Sequence, residues 1–150
     1  MRKESIRNSV LKLRNSLSKE SIVESQNNIL SIWKTRRDFR NIERVGFYWP
    51  KKNEISPLPI IQELLFKKIK CYLPVISKDE KSKLMVFRRY IDSSRMELNR
   101  FKIKEPAEGR AISANQLDVV FIPLVAFDKK GSRIGMGGGF FDTTCNTENE

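Results

Sequence analysis

With 150 residues, 39% of them hydrophobic, the chain has the size and apolar content of one folded domain, which excludes wholesale disorder. Its 29 Lys and Arg outnumber its 18 Asp and Glu, and it has no histidine. Ser-His-Asp and Cys-His chemistry are thereby excluded, and an anionic partner is favoured, either nucleic acid or a phosphorylated or polycarboxylate small molecule.

Ile6, Val10, Leu13 and Leu17 form an apolar stripe that predicts a helix over 3–17, with Lys3, Arg7 and Arg14 on a neighbouring row. Ser18 suits an N-cap for a second helix that carries Ile22, Gln26, Ile29, Leu30 and Trp33 on one face, and TRRDFRN is its polar exit. VGFYWP (45–50) predicts a strand ended by Pro50, and KKNEIS a loop. Pro57 and Pro59 suit a helix start ahead of IIQELLFKKI (60–69). Strands are predicted at KCYLPVIS (70–77) and KLMVFRRYI (83–91), and an irregular polar stretch over 92–116. LDVVFIPLVAF (117–127) has the near-continuous apolarity of a strand buried on both faces, with Pro123 where its ladder ends. DKKGSR is a turn in which Asp128 and Gly131 are turn formers. The order predicts a single-domain α/β fold with a mostly parallel sheet. No apolar run reaches membrane-span length, and MRKESIRNSV lacks an apolar signal region, so a cytoplasmic protein is expected, with Cys71 and Cys145 reduced.

The most unusual stretch is RIGMGGGFFD (133–142). It lacks the GK[ST] ending of a phosphate loop, and Phe140 stands where a dinucleotide fingerprint needs its last glycine. Its glycines permit a backbone nest for an anion, after the most apolar predicted strand, with Arg133 able to clamp phosphate and Asp142 able to hold Mg²⁺. A flexible glycine turn with a charge at each end accounts for it equally well. In KESIR, Lys3 and Arg7 share a helix face, as a solvated face or as the edge of a site. Trp49 and Glu54 flank the loop after the first strand, either as core and surface residues or as a stacking face and a hydrogen-bond acceptor at a mouth.

Taken together, KESIR, NEI, YLPV, KEP (104–106) and PLVAFDKKGSRIGMGGGFFD (123–142) resemble the 5-formyltetrahydrofolate cyclo-ligase family, from residue 3 to residue 142. The resemblance implies a three-layer Rossmann-like fold and a reaction in which MgATP phosphorylates the formyl oxygen of 5-formyltetrahydrofolate. N10 then closes the ring, and 5,10-methenyltetrahydrofolate, ADP and phosphate result. Such chemistry needs positioning and charge neutralisation more than an acid–base residue, so it suits a chain without histidine.

By the same resemblance ATP would lie against Lys3, Glu4, Ser5, Ile6 and Arg7, and against Arg133, Ile134, Gly135, Met136, Gly137, Gly138, Gly139, Phe140 and Phe141. Folate, including polyglutamylated forms, would lie against Trp49, Glu54 and Phe140, and Asp142 would hold Mg²⁺. A monomer with no nucleic-acid or membrane partner is expected. Family members continue past FFD, whereas TTCNTENE (143–150) is polar and without a strand or helix pattern. The expectation is therefore a cyclo-ligase domain over 1–142, incomplete at its C-terminus, and a non-matching polar tail over 143–150. The alternative to an active enzyme is an impaired relative that keeps nucleotide or folate binding. A basic nucleic-acid module is the third reading, motivated by charge alone.

Overall fold

The computed structural model describes residues 2–146. Helix α1 (Lys3–Asn15) buries no residue, and its apolar stripe lies half-covered at Ile6 and Val10. Helix α2 (Lys19–Thr35) starts where expected, with the Ser18 hydroxyl accepting from the Ser21 amide at 3.1 Å. Its Leu30 and Trp33 reach the core, and Ile29 stays exposed. The polar exit contributes Phe39, whose ring stacks on Trp33 with centroids 4.8 Å apart. Strand β1 (Arg44–Gly46) is followed by helix α3 (Leu58–Phe66), which Pro57 and Pro59 open and which buries Ile60, Ile61 and Leu64.

Strands β2 (Lys70–Ile76) and β3 (Met85–Tyr90) fall where the sequence places them. Residues 92–116 differ from the irregular segment expected. They hold the hairpin of β4 (Met96–Leu98) and β5 (Lys104–Pro106), the strand β6 (Ala111–Ile112) and a 3₁₀ turn at Ala114–Gln116. These elements are too short for a periodic signal to build up.

The apolar run 117–127 also differs from expectation. Only β7 (Val119–Val120) joins the main sheet, and β8 (Ala126–Phe127) pairs with β9 (Arg133–Ile134) in a separate hairpin. The sheet order is β6-β3-β2-β1-β7, so β7 is an edge strand with β1 as its neighbour, its Val119 and Val120 half-buried against the cores on the two faces. Its ladder ends where Phe121 N–H donates to Gly46 O at 2.8 Å, ahead of Pro123, which has no N–H to offer. Leu124 and Phe127 are exposed, while Phe121 stacks on Phe47 at 4.8 Å. VGFYWP is likewise shorter than expected in the ladder, because the backbone turns away after Phe47 N–H donates to Tyr72 O.

β2, β1 and β7 run parallel, β3 pairs antiparallel with β2, and β6 pairs antiparallel with β3 and so points the same way as β2. Strand alternation then builds two cores. Val45, Phe47, Cys71 and Leu73 face α2 and α3, whereas Tyr72, Phe87 and Ile112 face the 3₁₀ turn and Phe141. This is the three-layer α/β arrangement. Helix α4 (Phe140–Asn146) includes residues expected to be a patternless tail. Thr144 is buried there and its Oγ1 accepts from Met85 N–H at 3.0 Å, so the boundary expected at residue 142 falls inside a helix. Residues 147–150 lie outside the described residues.

Candidate active site

The parallel strands β1, β2 and β7 point their carboxyl ends toward one cleft of about 500 Å³, the place where open α/β sheets bind ligands. Tyr48, Trp49, Lys51 and Glu54 reach it after β1, Pro74 and Ile76 from β2, and Ile122 and Pro123 after β7. The whole segment 133–142 lines the opposite wall. Thus Arg133, Ile134, Gly135, Met136, Gly137, Gly138, Gly139, Phe140, Phe141 and Asp142 come together as the sequence suggested, with Trp49, Glu54, Lys3 and Arg7. Glu4, Ser5 and Ile6 do not line the cleft. A helix turns about 100° per residue, so placing Lys3 and Arg7 on the cleft carries the three between them around and away.

Cations converge on the glycine loop. Arg7 Nε donates to Gly135 O at 2.8 Å and ties α1 to the loop across 128 residues of sequence. Gly137 has φ +98 and Gly139 φ +75, left-handed backbone that favours glycine. A Cβ on Gly137 would stand 3.7 Å from the Arg7 guanidinium carbon, and one on Gly139 3.6 Å from Lys83 Nζ, so the loop passes close beneath both charges. Arg133 forms an ion pair with Asp142, joining the two ends of the segment.

The cleft also carries aromatic side chains. Trp49 meets Tyr90 edge-on at 6.3 Å, and the Lys104 ammonium sits 5.5 Å from its ring centre. Glu54 Oε2 accepts from Lys51 N–H at 2.8 Å, and the Tyr48 hydroxyl donates to Ile55 O, which together fix the loop 48–55. Burial pushes the Tyr48 phenol up to about 12, with the Glu54 carboxylate acting in the same direction, so it stays a neutral donor.

Asn99, Phe101 and Ile103 also line the cleft, and sequence reasoning missed them. Phe101 meets Phe140 edge-on at 5.4 Å, with the Arg100 guanidinium 5.1 Å from the Phe101 ring centre. Their signal was the alternation of Phe101 and Ile103 ahead of KEP, two residues too few for a strand pattern.

An α/β domain whose cleft combines a cationic glycine loop with aromatic rings suits a ligand that joins phosphate to planar rings, or two such ligands side by side. The model of the 5-formyltetrahydrofolate cyclo-ligase family matches residues 1–150. The 5-formyltetrahydrofolate cyclo-ligase of Haemophilus influenzae is 34% identical over 145 residues, covering 95% of this chain and 77% of that protein. That of Escherichia coli is 40% identical over 93 residues, 61% of this chain and 50% of that protein. Among solved structures, the Aquifex aeolicus 5,10-methenyltetrahydrofolate synthetase superposes with a TM-score of 0.83 at 29% identity, covering 97% of this chain and 73% of that one. The Mycoplasma pneumoniae 5,10-methenyltetrahydrofolate synthetase, at 24% identity and a TM-score of 0.73, shares the fold over 100% of this chain and 80% of its own. The chain belongs to the 5-formyltetrahydrofolate cyclo-ligase family, ligases of folate one-carbon metabolism.

Proposed function

We propose that the cleft converts 5-formyltetrahydrofolate to 5,10-methenyltetrahydrofolate at the expense of ATP, with the nucleotide phosphates at the glycine loop and the folate at the aromatic side chains. The observation that carries this reading is the meeting of α1 and the loop. Lys3 and Arg7, from the start of the chain, line the same cleft as Arg133 and the glycines, and Arg7 bonds Gly135. A phosphoryl group moving between the two ligands spreads charge over its oxygens, and fixed cations and inward amides stabilise that charge without an acid–base residue.

In this reading Lys3, Arg7 and Arg133 hold phosphate oxygens, and Gly135–Phe141 wraps the nucleotide and the reacting end of the folate. Trp49 stacks on the folate, and Glu54 accepts hydrogen bonds from its amino-substituted ring. Lys51 and Lys104 stand near Trp49, which suits the carboxylates of a polyglutamylated tail.

Among the described residues no cluster of three or more acidic or thiol side chains forms a free-standing metal site. Asp142, on the cleft wall, is one carboxylate, and one or two carboxylates suffice for a Mg²⁺ that arrives with phosphate oxygens. Asp142 therefore fits a nucleotide-borne Mg²⁺, whose chemistry would be to neutralise developing phosphate charge. A monomer acting in the cytoplasm completes the proposal. Absorbance of the methenyl product, followed with ATP and Mg²⁺ supplied, is the test. Folded protein that binds both ligands yet forms no product would leave only binding, and protein that binds neither would remove the reading.

A further inference from the structure

Glu105, the middle residue of the KEP motif at 104–106, has no role in the reading above. Glu105 is only 7% exposed, yet it carries a carboxyl group into the space between the β4–β5 hairpin and the end of β2. Its Oε2 accepts from Asn99 Nδ2 at 3.1 Å and from Ile76 N–H at 3.3 Å. Asn99 Oδ1 in turn accepts from Phe101 N–H at 2.9 Å and Ile103 N–H at 3.2 Å. A continuous set of hydrogen bonds thus runs from the end of β2, through two side chains, to the backbone of the turn 99–103. Ile76, Asn99, Phe101 and Ile103 all line the cleft, and the Phe101 ring meets Phe140 of the opposite wall.

Hairpin stability alone does not call for this carboxyl. The register sets Glu97 directly opposite Glu105, and like charges so placed disfavour the pairing. The bonds of Glu105 lead instead to the end of β2 and to the turn 99–103 at the cleft.

We propose that Glu105 is a positioning residue. It fixes the turn 99–103 against Ile76 and so holds Phe101 in place against Phe140 beside the proposed folate, without touching substrate itself. The proposal rests on the folate reading for its ligand but not for its geometry.

The test compares Glu105→Ala, Glu105→Gln and Asn99→Ala in the full chain. Amide hydrogen exchange without ligand comes first, then KM for 5-formyltetrahydrofolate and for ATP, and kcat. Glu105→Ala should speed exchange at Phe101 and Ile103 about tenfold and raise the folate KM about tenfold, the effect of one lost hydrogen bond to a buried group. The KM for ATP and kcat should stay within about twofold. Glu105→Gln keeps an oxygen acceptor and should stay near the parent in both readouts. Asn99→Ala removes the acceptor of both amides directly and marks the exchange of a released turn, and Glu105→Asp, one methylene shorter, serves if Glu105→Ala fails to fold.

Unchanged exchange at Phe101 and Ile103 would overturn the proposal. So would exchange rising throughout β2 and β3 with kcat and both KM values moving together, the pattern of general fold support. If the parent protein shows no turnover, the proposed activity fails. The exchange data and a calorimetric titration with 5-formyltetrahydrofolate still decide the role of Glu105.

Discussion

Arg7 is the residue through which α1 and the glycine loop depend on each other. The helix buries no side chain, so its attachment rests on a half-covered apolar stripe and a few polar ties. The Asn53 amide donates to Asn15 at its far end, and Arg7 Nε donates to Gly135 O at its near end. A hydrogen bond from a charged donor contributes about 1.5–3 kcal/mol, and partial exposure puts this one near the lower figure. In Arg7→Ala, opening of α1 should therefore become about tenfold easier, since 1.4 kcal/mol is a factor of ten.

Hydrogen exchange should show that tenfold rise across 3–15 while the amides of β1 and β2, in the core, keep their protection. ATP binding, measured by calorimetry, should weaken by more than tenfold, because the variant loses the proposed phosphate partner as well as the tether. Arg7→Lys separates the two effects. Its ammonium keeps a positive charge but lacks the planar Nε donor, so exchange should rise as in Arg7→Ala while ATP binding falls less. Unaltered exchange across α1 in Arg7→Ala would refute the view that this bond docks the helix.

Three further outcomes follow from local geometry. Gly137→Ala meets its nearest neighbour at ordinary contact distance, so its cost comes from the φ of +98, about 1–2 kcal/mol. The strain should lower Tm by a few degrees, and calorimetry should find ATP binding weaker where the loop shifts to relieve it. Gly46→Ala should act through packing instead, because its Cβ would stand 2.7 Å from Leu117 Cδ1 and 3.1 Å from the Phe87 ring. About 1–3 kcal/mol of overpacking strain should lower Tm by several degrees in calorimetric melting.

Asp118 accepts from the amides of Glu43 and Arg44, each at 2.8 Å, and these bonds hold its carboxyl below the ordinary 3.8. A depressed folded value means that the stabilisation is present above 3.8 and lost as pH falls through the folded value. Asp118→Ala should therefore melt lower than the parent at pH 7, and the gap should close only below pH 3.8. A gap of constant size down to pH 2.5 would contradict that assignment, a pH chosen about one unit below the ordinary carboxylate range.

The parts of the fold that were legible in the sequence are those long enough to repeat. The Ile6–Val10–Leu13 spacing, the Ser18 cap and the proline pair ahead of α3 each act within one element, and local rules describe them. The run 117–127 misled because apolarity reports burial of some kind, not sheet pairing. Phe121 goes to an aromatic stack, Ile122 and Pro123 go to the cleft wall, and Phe127 stays in solvent. The same division holds in the cleft. RIGMGGGFFD carries its own unusual composition and was visible, and the helical spacing of Lys3 and Arg7 placed them on one edge. Phe101 and Asn99 became part of the cleft only through a two-stranded hairpin whose position depends on Glu105 and on Arg100 bonding Ser77 O, contacts that no local pattern encodes.

The Arg133–Asp142 pair gives the cleft a preference that neither residue has alone. While the two are joined, their own charges are matched at the ends of the loop, and Arg7 and Lys83 supply the positive charge along it. A purely anionic ligand that draws Arg133 away leaves Asp142 unmatched and facing more negative charge. A ligand that brings a cation along with its phosphates satisfies both halves at once. If the two residues hold the nucleotide as proposed, a metal-loaded nucleotide satisfies both ends of the pair and a bare one satisfies only Arg133.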